Sequence, residues 1–283
     1  MGGAAPRRSA PAGYYGLPVL HRPHWKWLVI SYFFFGGIAG ASYVVASLAD
    51  LAGGRANARI ARAGRYLSFA ALLPCPPLLI LDLGRPERFL HMLRVVKLRS
   101  PMSLGTWGLL LFSACSALAA LGQAARDGLL PTRSLPRPLG AGPARAVGLL
   151  GTVPALFISG YTGVLLAATA VPLWTKSYLL LGPLFLASAL SSAAAALTAL
   201  LALWPGTPRA ALERLARIER LALGTELALL LAERLVLGRT IARPLAEGHT
   251  GRVLRAVVGG GLLLPLALHA LARPASGLAG RAG

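Results

Sequence analysis

Long uncharged apolar runs dominate this chain, and they leave it few ways to fold. The clearest are Trp27 to Leu48, Ser103 to Ala125 and Leu179 to Trp204. Crossing a bilayer hydrocarbon core of about 30 Å takes about 20 helical residues, and each of these runs is long enough. Hydrocarbon offers no partner for a backbone N–H or C=O, so a segment of this kind must be a helix that satisfies itself. The pattern predicts an all-α, polytopic membrane helical bundle of about seven transmembrane helices, near 25–51, 66–83, 103–125, 147–171, 177–204, 212–237 and 254–271. A polar segment, 1–24, precedes the single transmembrane domain 25–272, and a tail, 273–283, follows it. Arg7-Arg8 resembles a twin-arginine signal, but no apolar stretch follows until residue 28, so 1–24 reads as part of the mature chain.

Twenty-nine Lys and Arg against nine Asp and Glu give a net charge of +20. A soluble module with that charge would suggest nucleic acid. Here nearly all the cations lie between apolar runs, where they meet lipid headgroups or a partner subunit, so nucleic-acid binding is set aside. Lys and Arg divide almost evenly between alternate loops, so charge does not orient the chain. The two cysteines, Cys75 and Cys115, sit inside apolar runs with no CxxC spacing; they read as small core residues, and no metal site is expected.

Trp25, Trp27 and Tyr32 form an aromatic belt at the start of the first span, and Gly36, Gly37 and Gly40 give it a small-residue face for a neighbouring helix. Arg55, Arg59, Arg62 and Arg65 mark a polar loop after it. The second span carries Pro74-Cys75-Pro76-Pro77, and prolines at that density break the backbone ladder, which must then face protein or a polar cavity. Residues 84–102 alternate apolar Phe89, Leu90, Leu93 and Val96 with Arg88, Arg94 and Lys97, the pattern of a short amphipathic surface helix.

Chemistry concentrates where that broken span ends. Asp82-Leu83-Gly84-Arg85-Pro86-Glu87-Arg88-Phe89 sets two acids and two arginines at the membrane boundary, where ionisable groups are costly unless paired or functional. One reading is an Asp82–Arg85 or Glu87–Arg88 ion pair that pins the loop. The other is a ligand site, and the two are compatible. Tyr161, in Ser-Gly-Tyr-Thr-Gly, lies within the fourth span, where a buried phenol needs a partner. Glu219, Glu226 and Glu233 recur on one helix face. Glu226, flanked by apolar residues, is a candidate for a proton path, with Asp50 as a weaker one, and an interhelical hydrogen bond is the other reading. Of five histidines only His269 lies inside a span, which argues against a bis-histidine haem.

Several strings resemble the NrfD/PsrC family, the polysulfide-reductase-type membrane subunits. They are Tyr14-Tyr15-Gly16-Leu17-Pro18 before Trp25-Lys26-Trp27, then Tyr32 to Gly40, Cys75-Pro76-Pro77-Leu78-Leu79 and Leu81 to Phe89. Arg99-Ser100-Pro101-Met102-Ser103 with Trp107-Gly108, Tyr161 to Leu166 and Pro172-Leu173-Trp174 continue the match, dense over 14–174 and thin afterwards.

The resemblance implies a prokaryotic plasma-membrane anchor with no tightly bound cofactor and no haem. An exchangeable menaquinone or ubiquinone would bind it. A ferredoxin-like iron–sulfur subunit would wire it to a catalytic, commonly molybdopterin, subunit. Carried over by residue, the quinone pocket would lie where the first, second and fourth spans meet, near Tyr32, Asp82, Arg85, Arg88 and Tyr161, with Asp82 exchanging protons. The 84–102 loop, with Glu87, His91, Arg94 and Lys97, would face the iron–sulfur partner. Two departures stand out. Family members commonly have eight helices rather than seven, and some carry Asn or His in the first turns of helix 1, where this chain has Leu28, Val29, Ser31 and Tyr32. A secondary transporter is the competing class, because broken helices and buried carboxylates serve transporters too, though no symmetric second copy of the proline break is visible.

Overall fold

A computed structural model describes residues 25–130 and 148–271. The polar segment 1–24, most of the Pro/Arg/Gly loop at 131–147 and the tail 273–283 lie outside the described residues, as do His21 and His24. All regular structure in the described residues is helical, with no strand. Six helices are long and apolar enough to cross a membrane.

Helix α1 (Trp27–Ala52) is the hub, packing on α2 (Arg55–Leu72), α6 (Thr152–Ala167) and α8 (Tyr178–Ala202). Its glycines serve two neighbours. Gly37 faces Ala189 of α8, while Gly40 faces Ser159 and the Ala155 carbonyl of α6 so closely that a Cβ would not fit. A backbone-to-backbone approach of this kind maximises dispersion contacts where lipid supplies no hydrophobic drive.

The arginine-rich stretch after α1 is helix rather than loop. Gly53 and Gly54, both at positive φ, complete the turn in two residues, and α2 starts at once on Arg55. Helical spacing then puts the arginines to use. Arg65, 4% exposed, donates to Asp50 Oδ2 at 2.8 Å and Gln123 Oε1 at 2.7 Å. Arg62 Nε and the Tyr66 hydroxyl donate to Asp127 Oδ2 at 2.8 and 2.6 Å, and Gln123 Nε2 donates to Asp127 Oδ1 at 3.0 Å. Arg62 also stacks over Trp204, 5.0 Å from the ring centroid. One network ties α1, α2 and α5 (Pro101–Arg126) to the end of α8.

At the other end of this hairpin the prolines break the helix where expected. Backbone pairing lapses at Leu73-Pro74, and α3 (Cys75–Asp82) resumes the path. Pro74, Pro76 and Pro77 have no N–H for the carbonyls of residues 70, 72 and 73, while the fully buried Cys75 donates its thiol to the Ala71 carbonyl at 3.5 Å. The surface helix that follows is shorter than its pattern suggested. A 3-10 turn, Pro86–Arg88, leads into one α-turn, α4 (Phe89–Met92). Beyond it the Ser103 hydroxyl accepts from the Lys97 N–H at 2.9 Å and donates to the Val95 carbonyl, and these bonds hold the chain in an irregular return to α5.

Helix α7 (Pro172–Lys176) precedes α8. The expected 212–237 span is part of α9 (Arg209–Ala246), which kinks at Gly238 (φ 67°) and carries too much charge to rank among the six apolar spans. Its last three acids are partnered: Glu219 with His269 at 3.2 Å, Glu226 with Ser191 at 3.3 Å, and Glu233 with Ser177 at 2.8 Å. The last span is α10 (Gly248–Ala256), a π segment (Val257–Leu263) and α11 (Leu264–Leu271), packed chiefly on α9.

Candidate functional site

The starts of α1 and α5 meet the ends of α3 and α6 around a cavity of about 250 Å³. Its wall includes Trp25, Tyr32, Asp82, Phe89, Thr106 and Tyr161. Each is placed by the local sequence. The proline break lets α3 bring Asp82 to the mouth, where the carboxylate is half-buried. Tyr161 lies flat on Gly105, where any Cβ would collide with the ring, and its hydroxyl donates to the Pro101 carbonyl. The Pro101 carbonyl lies in the first turn of α5 and takes the phenol as an added donor, which commits the Tyr161 proton and leaves its oxygen as the acceptor. Tyr32 is 3% exposed, and among the described residues its hydroxyl has no hydrogen-bond partner, so it remains free to donate.

Tyr32, Asp82 and Tyr161, distant in sequence, therefore share one wall. Among the described residues neither the Asp82–Arg85 nor the Glu87–Arg88 ion pair forms, so the self-satisfied reading of the loop fails. Arg85 and Arg88 are exposed on the 3-10 turn outside the cavity wall. Glu87, His91, Arg94 and Lys97 are exposed along the same loop, interleaved with exposed Leu90, Val95, Val96 and Leu98. Asp50 lies in the Arg65 network, far along α1 from Tyr32, and Glu226 lies on α9 beside Ser191; neither lines the cavity. Among the described residues no three or more His, Cys, Asp or Glu side chains cluster as metal ligands.

Sequence reasoning missed Thr106 and Phe89 as wall residues, and it missed the role of Trp25. Trp25 stacks on Trp174 with ring centroids 5.8 Å apart and closes one side of the cavity. The signal was present, because both tryptophans stood at span ends, but nothing in spacing could pair residues so far apart. Chemically, the site offers an apolar slot with a free phenol donor, a phenol acceptor and a carboxylate at its mouth. It suits a flat ring that carries oxygens and exchanges protons. Ligand pockets commonly span about 300–1,000 Å³, so this volume fits a headgroup and leaves an isoprenoid tail to the bilayer.

No curated protein matches the chain. The profile of the family described as polysulphide reductase, NrfD, matches residues 20–273. A match of that extent, over a membrane-spanning helical bundle, makes the chain a member of the NrfD polysulphide reductase family of membrane subunits.

Proposed function

We propose that this multi-pass membrane protein anchors a respiratory oxidoreductase in a prokaryotic plasma membrane and exchanges electrons between an iron–sulfur partner and quinone in the Tyr32–Asp82–Tyr161 cavity. Membership of the family implies a quinol-interacting anchor in general terms. The observation that carries the finer reading is the convergence of those three side chains on one apolar slot at the bundle end. Reduction of quinone to quinol takes up two electrons and two protons. Tyr32 donates a hydrogen bond to one carbonyl and fixes the ring. Asp82, between the slot and the membrane surface, passes protons to the reduced oxygen. Tyr161 accepts from the quinol hydroxyl. The exposed basic and apolar loop 85–98 is where the electron-delivering partner docks, above the cavity, and a molybdopterin subunit completes the chain of carriers.

Asp82→Asn in the assembled complex is expected to lower quinone-linked turnover at least about tenfold, the usual lower bound for removing an acid–base group being about 10². Asp82→Glu should restore part of it. Unchanged turnover in Asp82→Asn, with the complex intact, would remove the carboxylate from the reaction.

Docking is tested apart from chemistry. Reversing Arg94 and Lys97 to Glu is expected to weaken retention of the partner subunit, more so at low salt than at high, because exposed charges act through a screened field. Co-purification yield across a salt series reads this directly. A yield that ignores both charge and salt would place the partner elsewhere.

A further inference from the structure

A second, larger cavity of about 640 Å³ opens between α6–α8 and the C-terminal hairpin of α9 with α10 and the π segment. The last span packs chiefly on α9, which leaves room between it and the rest of the bundle. Glu233, Arg234 and Arg255 line it together with an apolar wall that includes Leu227, Leu230, Leu254 and Leu263. Seven residues separate Leu227 from Arg234 and eight separate Arg255 from Leu263, roughly 10–12 Å at helical rise, so the leucines run alongside the charged residues for a distance comparable with one leaflet, about half of a hydrocarbon core of about 30 Å.

The charges in the wall select the occupant. Glu233, nine-tenths buried, accepts from the Ser177 hydroxyl at 2.8 Å and is the one acid in the wall. Two arginines outnumber it. Arg255 donates one terminal N–H, from Nη1, to the Ala246 carbonyl at 3.2 Å and has other donors open, and among the described residues neither arginine has an ion-pair partner. A neutral quinone headgroup would leave this excess of positive charge unmatched. We propose that this cavity holds one anionic diacyl phospholipid, its phosphate between Arg234 and Arg255 and its acyl chains along the leucine wall. The lipid supplies packing between α6–α8 and the α9–α10 hairpin. Trp174, which stacks on Trp25 of the first cavity's wall, also lines this one, so a stacked tryptophan pair links the two sites.

The test uses the full chain in its purified complex and native mass spectrometry, with phosphatidylglycerol or phosphatidylcholine supplied in the detergent. Wild type should retain one phosphatidylglycerol per chain and at least about tenfold less phosphatidylcholine. Arg234→Gln with Arg255→Gln should abolish that preference, since each basic residue contributes to anionic-lipid affinity. Gly259→Leu, where an added Cβ meets nothing within 4 Å, should crowd the apolar wall and reduce retention of both lipids. Equal retention of the two lipids by wild type would overturn the proposal. So would displacement of the lipid by millimolar inorganic phosphate, which would mark a phosphate site only, or a quinone mass or a partner helix found in the lipid's place. If the variants fail to fold, the wild-type selectivity alone decides.

Discussion

Arg65→Met should destabilise the detergent-solubilised protein by about 3–5 kcal/mol, the cost of removing one partner from a buried ion pair. The side chain is almost wholly enclosed and holds Asp50 and Gln123 at once, at 2.8 and 2.7 Å. Methionine keeps the volume and deletes the charge. The Asp50 carboxylate, 19% exposed, is then left beside apolar helix surface without a cation, and Gln123 loses the donor that orients it towards Asp127. The penalty belongs to the stranded carboxylate more than to the lost attraction. Asp50→Asn added to Arg65→Met should therefore recover a large part of the stability, and a double-mutant cycle measures how much. Arg65→Lys should fall between, since one ammonium cannot reach both oxygens with the geometry of a guanidinium fork. A single-variant loss below about 1 kcal/mol would mean that the network is dispensable and that the interhelical packing alone sets the hairpin angle.

That network also shows where sequence reading stops. The spans were legible because apolar length is a direct physical demand of the bilayer, and the proline break was legible because covalent chemistry removes the N–H. The Arg55–Arg65 stretch was misread as a loop. Cations signal a membrane boundary, but two consecutive glycines had already made the turn, and the arginines then had long-range partners 15 to 65 residues away that no local pattern encodes. The 212–237 helix was found with its three glutamates on one face, yet which residue meets each one depends on how α8 and α11 lie against it. In the cavity, Tyr32, Asp82 and Tyr161 were placed together by the family resemblance, and the helix packing brings them to one wall. The resemblance placed Arg85 and Arg88 there too, but they stand exposed around the 3-10 turn begun at Pro86, outside that wall. The amphipathic pattern at 84–102 overstated its helix, because Ser103 captures the returning backbone before a second α-turn can form.

Gly163→Ala and Gly224→Ala should move stability in opposite directions, although both add one methyl to an α-helix. At Gly224 an added Cβ meets nothing within 4 Å, so alanine should be neutral or better by up to about 1 kcal/mol through helix propensity alone. At Gly163 it would meet the backbone of Leu181 and Gly182 on α8, well inside contact distance. A side chain could rotate aside; a helix backbone cannot, so α6 and α8 must separate along their length. The cost should sit at the upper end of the about 1–3 kcal/mol typical of overpacking. At about 2–4 °C per kcal/mol, that is a fall in melting temperature of roughly 6–12 °C. Function should suffer beyond stability, because α6 carries Tyr161 and Leu165 in the wall of one cavity and Leu166 in the wall of the other. Quinone-linked turnover measured well below the melting temperature should therefore drop in Gly163→Ala and stay at wild-type level in Gly224→Ala. If the two variants melt together, α6 and α8 do not touch through their backbones, and the position of Tyr161 over Gly105 must be set by α5 alone.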